Sequence, residues 1–212
     1  MISDLHYHSV IDLGCGTGDY ADYFLQNDKE YVGIDNSREM ITRAQNRFPN
    51  VLFRLEDVED LSMLSKKFDL ALAVGLVEYY MDPKKLIQQT CRILKKGGYF
   101  LVQAPHTSVT WRIDRRVIPR LLYPLAAIWR HFRKRQSIWD TSYTEHSLRA
   151  LIEPYGFESC RTAYCNYRFM PFPLSVLFQR LQEGVSEKIT RAKNREKFKC
   201  LASNVIVLFR KL

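Results

Sequence analysis

Short apolar runs alternate with segments of helical period over the first 104 residues. Residues 10–13 form a brief apolar run that ends in glycines, which predicts a buried strand. Residues 20–26 read as a helix, 31–34 as a strand, and 37–48 as a helix with Ser37 at its N-cap. Residues 51–55 predict a third strand and 59–64 a short helix. Residues 68–74 are almost wholly apolar, as a central strand buried on both faces is. Pro83 suits the first helical position after Asp82, and residues 84–94 continue that helix. Gly97 and Gly98 close it, and 99–104 make a fifth strand. Strand and helix alternating in this way predict an α/β fold with a parallel, doubly wound sheet. Right-handed crossovers place its ligand at the carboxyl ends of the strands, where strand order reverses.

The second half is less regular. Residues 105–143 look like an insertion and contain three prolines. Thr144 caps a helix over 144–155 that Gly156 ends, and 157–164 read as a strand. Residues 174–199 look helical and turn basic towards their end. Residues 204–209 form a last strand. No repeat or low-complexity tract interrupts the chain, so the expectation is one domain over 1–212, with 105–143 as a basic, aromatic helical insertion or lid.

Charge sharpens this division. Residues 1–104 hold 12 Lys/Arg against 15 Asp/Glu, whereas residues 105–212 hold 20 against 8. A basic half suits nucleic acid, an anionic membrane, an acidic substrate or a solvated face. The five cysteines include no CxxC pair, and no His-rich cluster accompanies them. Neither a disulfide framework nor a metal site is therefore expected, and reduced thiols fit a cytoplasmic location. The opening residues lack the basic start and long apolar run of a signal peptide. The apolar stretch 121–129 is too short to span a bilayer and contains Pro124.

The segment Val10-Ile-Asp-Leu-Gly-Cys-Gly-Thr-Gly-Asp19 carries the chemistry. Glycines at 14, 16 and 18 follow a buried strand and open a helix, as a close backbone approach to a ligand requires. The spacing is GxGxG rather than the GxGxxG of dinucleotide sites, with Asp12 two residues ahead. That arrangement suits a zwitterion better than a diphosphate.

The segment resembles motif I of the class I S-adenosylmethionine (SAM)-dependent methyltransferases, and the chain follows that family strongly over about 8–104. The likeness is weaker over 141–165 and 200–212. It implies a Rossmann-like, mostly parallel seven-stranded sheet with a helical insertion after the fifth strand, and SAM as cofactor. It further implies that Asp12, Gly14, Cys15, Gly16 and Gly18 surround the methionine part. Asp35, ending the second strand, would accept both ribose hydroxyls, as a bidentate carboxylate can. Asn36 and Met40 would flank the adenosine. Asp57 would meet the adenine amino group and the Val58 N–H a ring nitrogen, although Glu56 stands where the family has Gly. Val74 and Gly75 would hold the methionine portion. Glu78, Tyr79 and Tyr80 replace the family's Glu-His-aromatic run. The Asn/Asp-Pro-Pro-Tyr sequence of base and amide N-methyltransferases is absent, which argues against methylation of DNA amino groups.

Methyl transfer from a sulfonium needs mainly positioning, and a base only if the acceptor loses a proton early. His106 and Tyr143 are the candidates, with His146 a weaker one. Residues 111–135 hold seven Arg and one Lys among four large aromatics. They suit a lid over the active site, contact with an anionic membrane surface, or RNA. An apolar lid implies a small hydrophobic acceptor methylated at O or C. An RNA methyltransferase and a non-catalytic SAM-binding or membrane-associated partner subunit are the alternatives. Only about nine residues precede the first strand, where many relatives carry a helical cover over SAM. A more open cofactor site, a cover supplied by 105–135, or a shortened chain would each account for that.

Overall fold

The computed structural model describes residues 1–113, 141–168, 179–191 and 195–212. Most of the insertion therefore lies outside the described residues, and with it the expectations of a lid and of membrane contact. Seven strands form one sheet in the order β3-β2-β1-β4-β5-β7-β6. They are β1 Ser9–Leu13, β2 Glu30–Asp35, β3 Leu52–Leu55, β4 Phe68–Val74, β5 Leu94–Pro105, β6 Phe157–Tyr167 and β7 Ala202–Lys211. The first five run parallel, and β7 enters antiparallel between β5 and β6. The expected fold class stands.

Helices cover both faces. They are α1 Ala21–Leu25, α2 Arg38–Arg47, α3 Lys84–Ile93, the single turn α4 Val109–Arg112, α5 Glu145–Ile152 and α6 Gln179–Arg191. Ala21 and Phe24 of α1 join Ile41 and Ala44 of α2 in one core layer, against Val10, Leu70 and Leu72. Leu86 and Ile87 of α3 join Leu148 and Ile152 of α5 in the other, against Ile11, Leu13 and Phe100. In α3 the buried set Leu86, Ile87, Thr90 and Ile93 is a stripe of helical period. Burying each large aliphatic there contributes about 1.5–3 kcal/mol.

The caps form as their residue types predict. Ser37 Oγ accepts the Met40 N–H, and Thr144 makes a reciprocal capping box with Ser147. Two expectations fail. Residues 59–64 form no helix, because the Asp57 and Asp60 carboxylates accept the N–H groups of Glu59 and Ser62. Such bonds to the amide two residues on favour turns over helix. Helix α3 also ends at Ile93 rather than at the glycines, because Leu94 already pairs with Phe68 of β4. Among the described residues no helix is long and apolar enough to cross a membrane.

Candidate active site

Strand order reverses between β1 and β4, and the loops after these two strands face one another. Gly14, Gly16 and Gly18 all adopt positive φ. The N–H groups of Gly14 and Cys15 both donate to the Ile34 carbonyl, pinning the loop to the end of β2. A Cβ on Gly14 would stand 2.7 Å from Leu76 Cδ1, whereas one on Gly16 would meet nothing within 4 Å. Gly16 thus presents bare backbone to open space, as ligand approach requires.

Asp35 at the end of β2 organises this mouth. Its Oδ2 accepts the Gly16 N–H at 2.9 Å and its Oδ1 the Ser37 N–H at 2.8 Å. Each oxygen keeps a second lone pair, so the carboxylate can still accept a diol. A pocket of about 420 Å³ opens here, lined by Gly14, Gly16, Asp35, Asn36, Met40, Val58 and Gly75, together with Leu76, Tyr79 and Tyr80. The first seven are residues that the sequence assigns to the cofactor. The last three belong to the segment after β4. Tyr79 is 49% exposed, so it is not a core residue.

The other assigned residues stand behind or beside the pocket wall. Asp12 is buried, and its Oδ2 accepts the Tyr31 hydroxyl at 2.6 Å. Burial pushes its pKa up to about 7, the Tyr31 bond opposes this, and Asp35 and Asp19 add to it. Cys15 is buried behind the loop, and burial raises its thiol. Gly18 packs where a Cβ would strike Phe53 at 2.9 Å. Asp57 spends one oxygen on its own turn. Val74 is only partly buried and packs on the core cluster that holds Val10 and Leu72.

After β4, the Gly75 N–H donates to the Gln103 carbonyl, which fixes this loop to β5. Glu78 is buried, and its Oε2 has no hydrogen-bond partner among the described residues. Burial raises its pKa. The Tyr143 hydroxyl donates to the Val77 carbonyl at 3.3 Å, and both burial and the Glu78 charge raise the Tyr143 pKa.

The structure brings the two candidate catalytic residues together. His106, just past β5, forms an isolated parallel bridge with Tyr143. His106 is buried, and its ring meets Tyr164 edge-on with centroids 5.2 Å apart. Its Nδ1 lies 3.2 Å from the Ala202 carbonyl. A carbonyl only accepts, so Nδ1 carries the proton and Nε2 of the neutral ring has a free lone pair. Burial lowers the His106 pKa, the Ala202 bond opposes this, and the charges of Arg112 and Lys199 lower it further. A second cleft, of about 510 Å³, opens beside His106 and includes His146 in its lining. Among the described residues no three His, Cys, Asp or Glu side chains gather as a metal site.

Comparison with known proteins agrees with this geometry. The profile of a family described as a methyltransferase domain matches residues 6–149. The chain is similar to the malonyl-acyl-carrier-protein O-methyltransferase of Salmonella typhimurium, with 27% identity over 164 residues, covering 71% of this chain and 64% of that enzyme. It is also similar to the trans-aconitate 2-methyltransferase of Deinococcus radiodurans, with 31% identity over 108 residues, covering 50% of this chain and 41% of that one. The chain thus spans less than two thirds of the length of either relative. In fold it is similar to a solved structure titled a putative methyltransferase from Bacillus halodurans C-125. That match has a TM-score of 0.66 and 17% identity, covering 99% of this chain and 95% of the other.

Proposed function

The chain belongs to the class I SAM-dependent methyltransferase family, and on that premise we propose that it methylates an oxygen or carbon of a small acceptor. The observation that carries this reading is the mouth between β1 and β4, where bare Gly16 backbone and the Asp35 carboxylate border one pocket. SAM, when bound, supplies an electrophilic methyl on a sulfonium. The protein then has to hold the cofactor, present the nucleophile in line and keep water out.

The residues present fit those tasks. Asp35 has lone pairs left for the ribose hydroxyls, and Asn36 and Met40 border the same pocket on the adenosine side. Gly14, Gly16 and Gly75 leave room for the methionine arm. His106 supports oxygen over carbon as the attacked atom. Its lowered pKa keeps the ring neutral near pH 7, and Nε2 is left to take a hydroxyl proton. Tyr143, tied to Val77, joins the His106 segment to the cofactor loop and holds the two at fixed spacing. The hydrophobic character expected of the acceptor rests on the insertion, so the described walls bear on it only where they line the second cleft.

The test is transfer of labelled methyl from SAM to a panel of small hydroxy and carboxylic acids, with His106→Gln beside the wild type. Labelled product is expected from the wild type. The variant should lose about 100-fold or more in kcat at neutral pH while binding S-adenosylhomocysteine normally. No binding of S-adenosylhomocysteine at millimolar concentration would remove the reading.

A further inference from the structure

We propose that the cleft beside His106 binds an anionic group of the methyl acceptor, a carboxylate or a phosphate, between Arg112 and Lys199. The inference rests on the methyltransferase reading for the word acceptor, but the anion site stands on its own geometry.

The cleft draws its charged lining from distant parts of the chain. Arg112 comes from α4, Glu145 and Arg149 from α5, and Lys199 from the 3-10 turn Arg195–Leu201 that leads into β7. Glu145 is the only acid among the described lining residues, and it is already engaged. It pairs with Arg149 at 2.7 Å and accepts the Tyr164 hydroxyl at 3.2 Å. Arg149 is thereby neutralised in place. Neither Arg112 nor Lys199 has a carboxylate partner among the described residues, and both are close enough to lower the pKa of His106. Two cations without a described carboxylate partner, on neighbouring elements around one cleft, repel each other, and a shared anion converts that repulsion into two charge-assisted bonds.

The cleft also lies a short way along β5 from the cofactor pocket. His106 is three residues beyond Gln103, whose carbonyl holds Gly75 of the cofactor pocket. At the rise of a strand that is about 10 Å along β5. An acid group held by Arg112 and Lys199 would present the adjoining part of the acceptor to His106. The chemistry points to a small hydroxylated or enolisable acid, or the corresponding phosphate ester.

The test is titration calorimetry of the full chain with inorganic phosphate and, separately, malonate at low ionic strength. The wild type is compared with the Arg112→Gln/Lys199→Gln double variant and with Arg112→Lys. At least one anion should bind saturably to the wild type, about tenfold or more weakly to the double variant, and nearly normally to Arg112→Lys. Tighter phosphate than malonate assigns a phosphate ester, and the reverse order a carboxylate. Affinity for S-adenosylhomocysteine should be the same in all three proteins. Equal anion binding by the double variant means an adventitious ion only and overturns the site, as does no saturation by either anion below about 10 mM. Wild-type protein that binds anions but not S-adenosylhomocysteine would keep the site and remove the methyl-donor reading instead.

Discussion

Asp35→Ala separates a cofactor contact from a loop strut, because the two roles have different magnitudes and readouts. In the free protein the carboxylate accepts two backbone amides, from Gly16 and Ser37. Both bonds are charge-assisted but only part-buried, so their loss together should cost about 2 kcal/mol of stability. For a chain of this size that lowers Tm by about 4–8 °C. The bound state adds the two ribose hydroxyls on the remaining lone pairs. Losing those should weaken S-adenosylhomocysteine by about 1–3 kcal/mol, a factor of about 5–150. Asp35→Asn should sit close to Ala in both readouts. Whichever way its amide turns, its NH2 faces the N–H of Gly16 or of Ser37, and a donor cannot satisfy a donor. Calorimetric titration gives the affinity and thermal unfolding the stability, on the same samples. A folded Asp35→Ala protein with lowered Tm but affinity within about twofold of wild type would show that Asp35 only braces the loop. The cofactor assignment would then fail.

Two other substitutions probe the same mouth. Gly16→Ala places a methyl group in open space, so its stability cost should be only the strain of positive φ, about 1–2 kcal/mol. Affinity for S-adenosylhomocysteine should nevertheless fall more than about tenfold, and retention of full affinity would mean that no ligand approaches Gly16. Asp12→Asn tests the buried carboxylate, whose folded pKa of about 7 lies above the ordinary 3.8 of an aspartate. A raised pKa favours folding below the unfolded value, and that advantage is lost as pH rises through 7, to at most about 4 kcal/mol. Urea unfolding of the wild type should therefore weaken between pH 5 and pH 8 relative to Asp12→Asn, and parallel profiles would refute it.

Much of the cofactor side is legible in the sequence because its determinants are local. Phe68–Val74 is apolar but for Asp69 and becomes a strand of those bounds. Ser37 and Thr144 cap helices because a hydroxyl three residues before a free amide needs no tertiary context. One failure arises where a second local signal competes. Asp57 and Asp60 each bend the chain into a turn where apolar spacing alone suggests a helix. The anion cleft is not legible at all. Arg112, Arg149 and Lys199 come to one cleft from separate parts of the chain, and such tertiary placement leaves no trace in periodicity. The sequence offers His106 as a candidate base but not its burial, which involves Tyr164 of β6 and Ala202 of β7.

That topology also gives the charge asymmetry a use. The half of the chain with excess acid builds β1 to β4 and surrounds the pocket proposed for a sulfonium cation. The basic half supplies Arg112, Arg149 and Lys199 to the cleft proposed for an anion. The two meet across β4 and β5, where Gly75 is bound to Gln103 and Tyr143 to Val77. If both sites are filled as proposed, opposite charge on the two sides of one seam would draw donor and acceptor towards each other and disfavour either entering the other's site. On this view the net charge of +9 need not reflect nucleic-acid binding. Arg112 and Lys199 border one cleft, whereas a polyanion would need such charges spread along a surface.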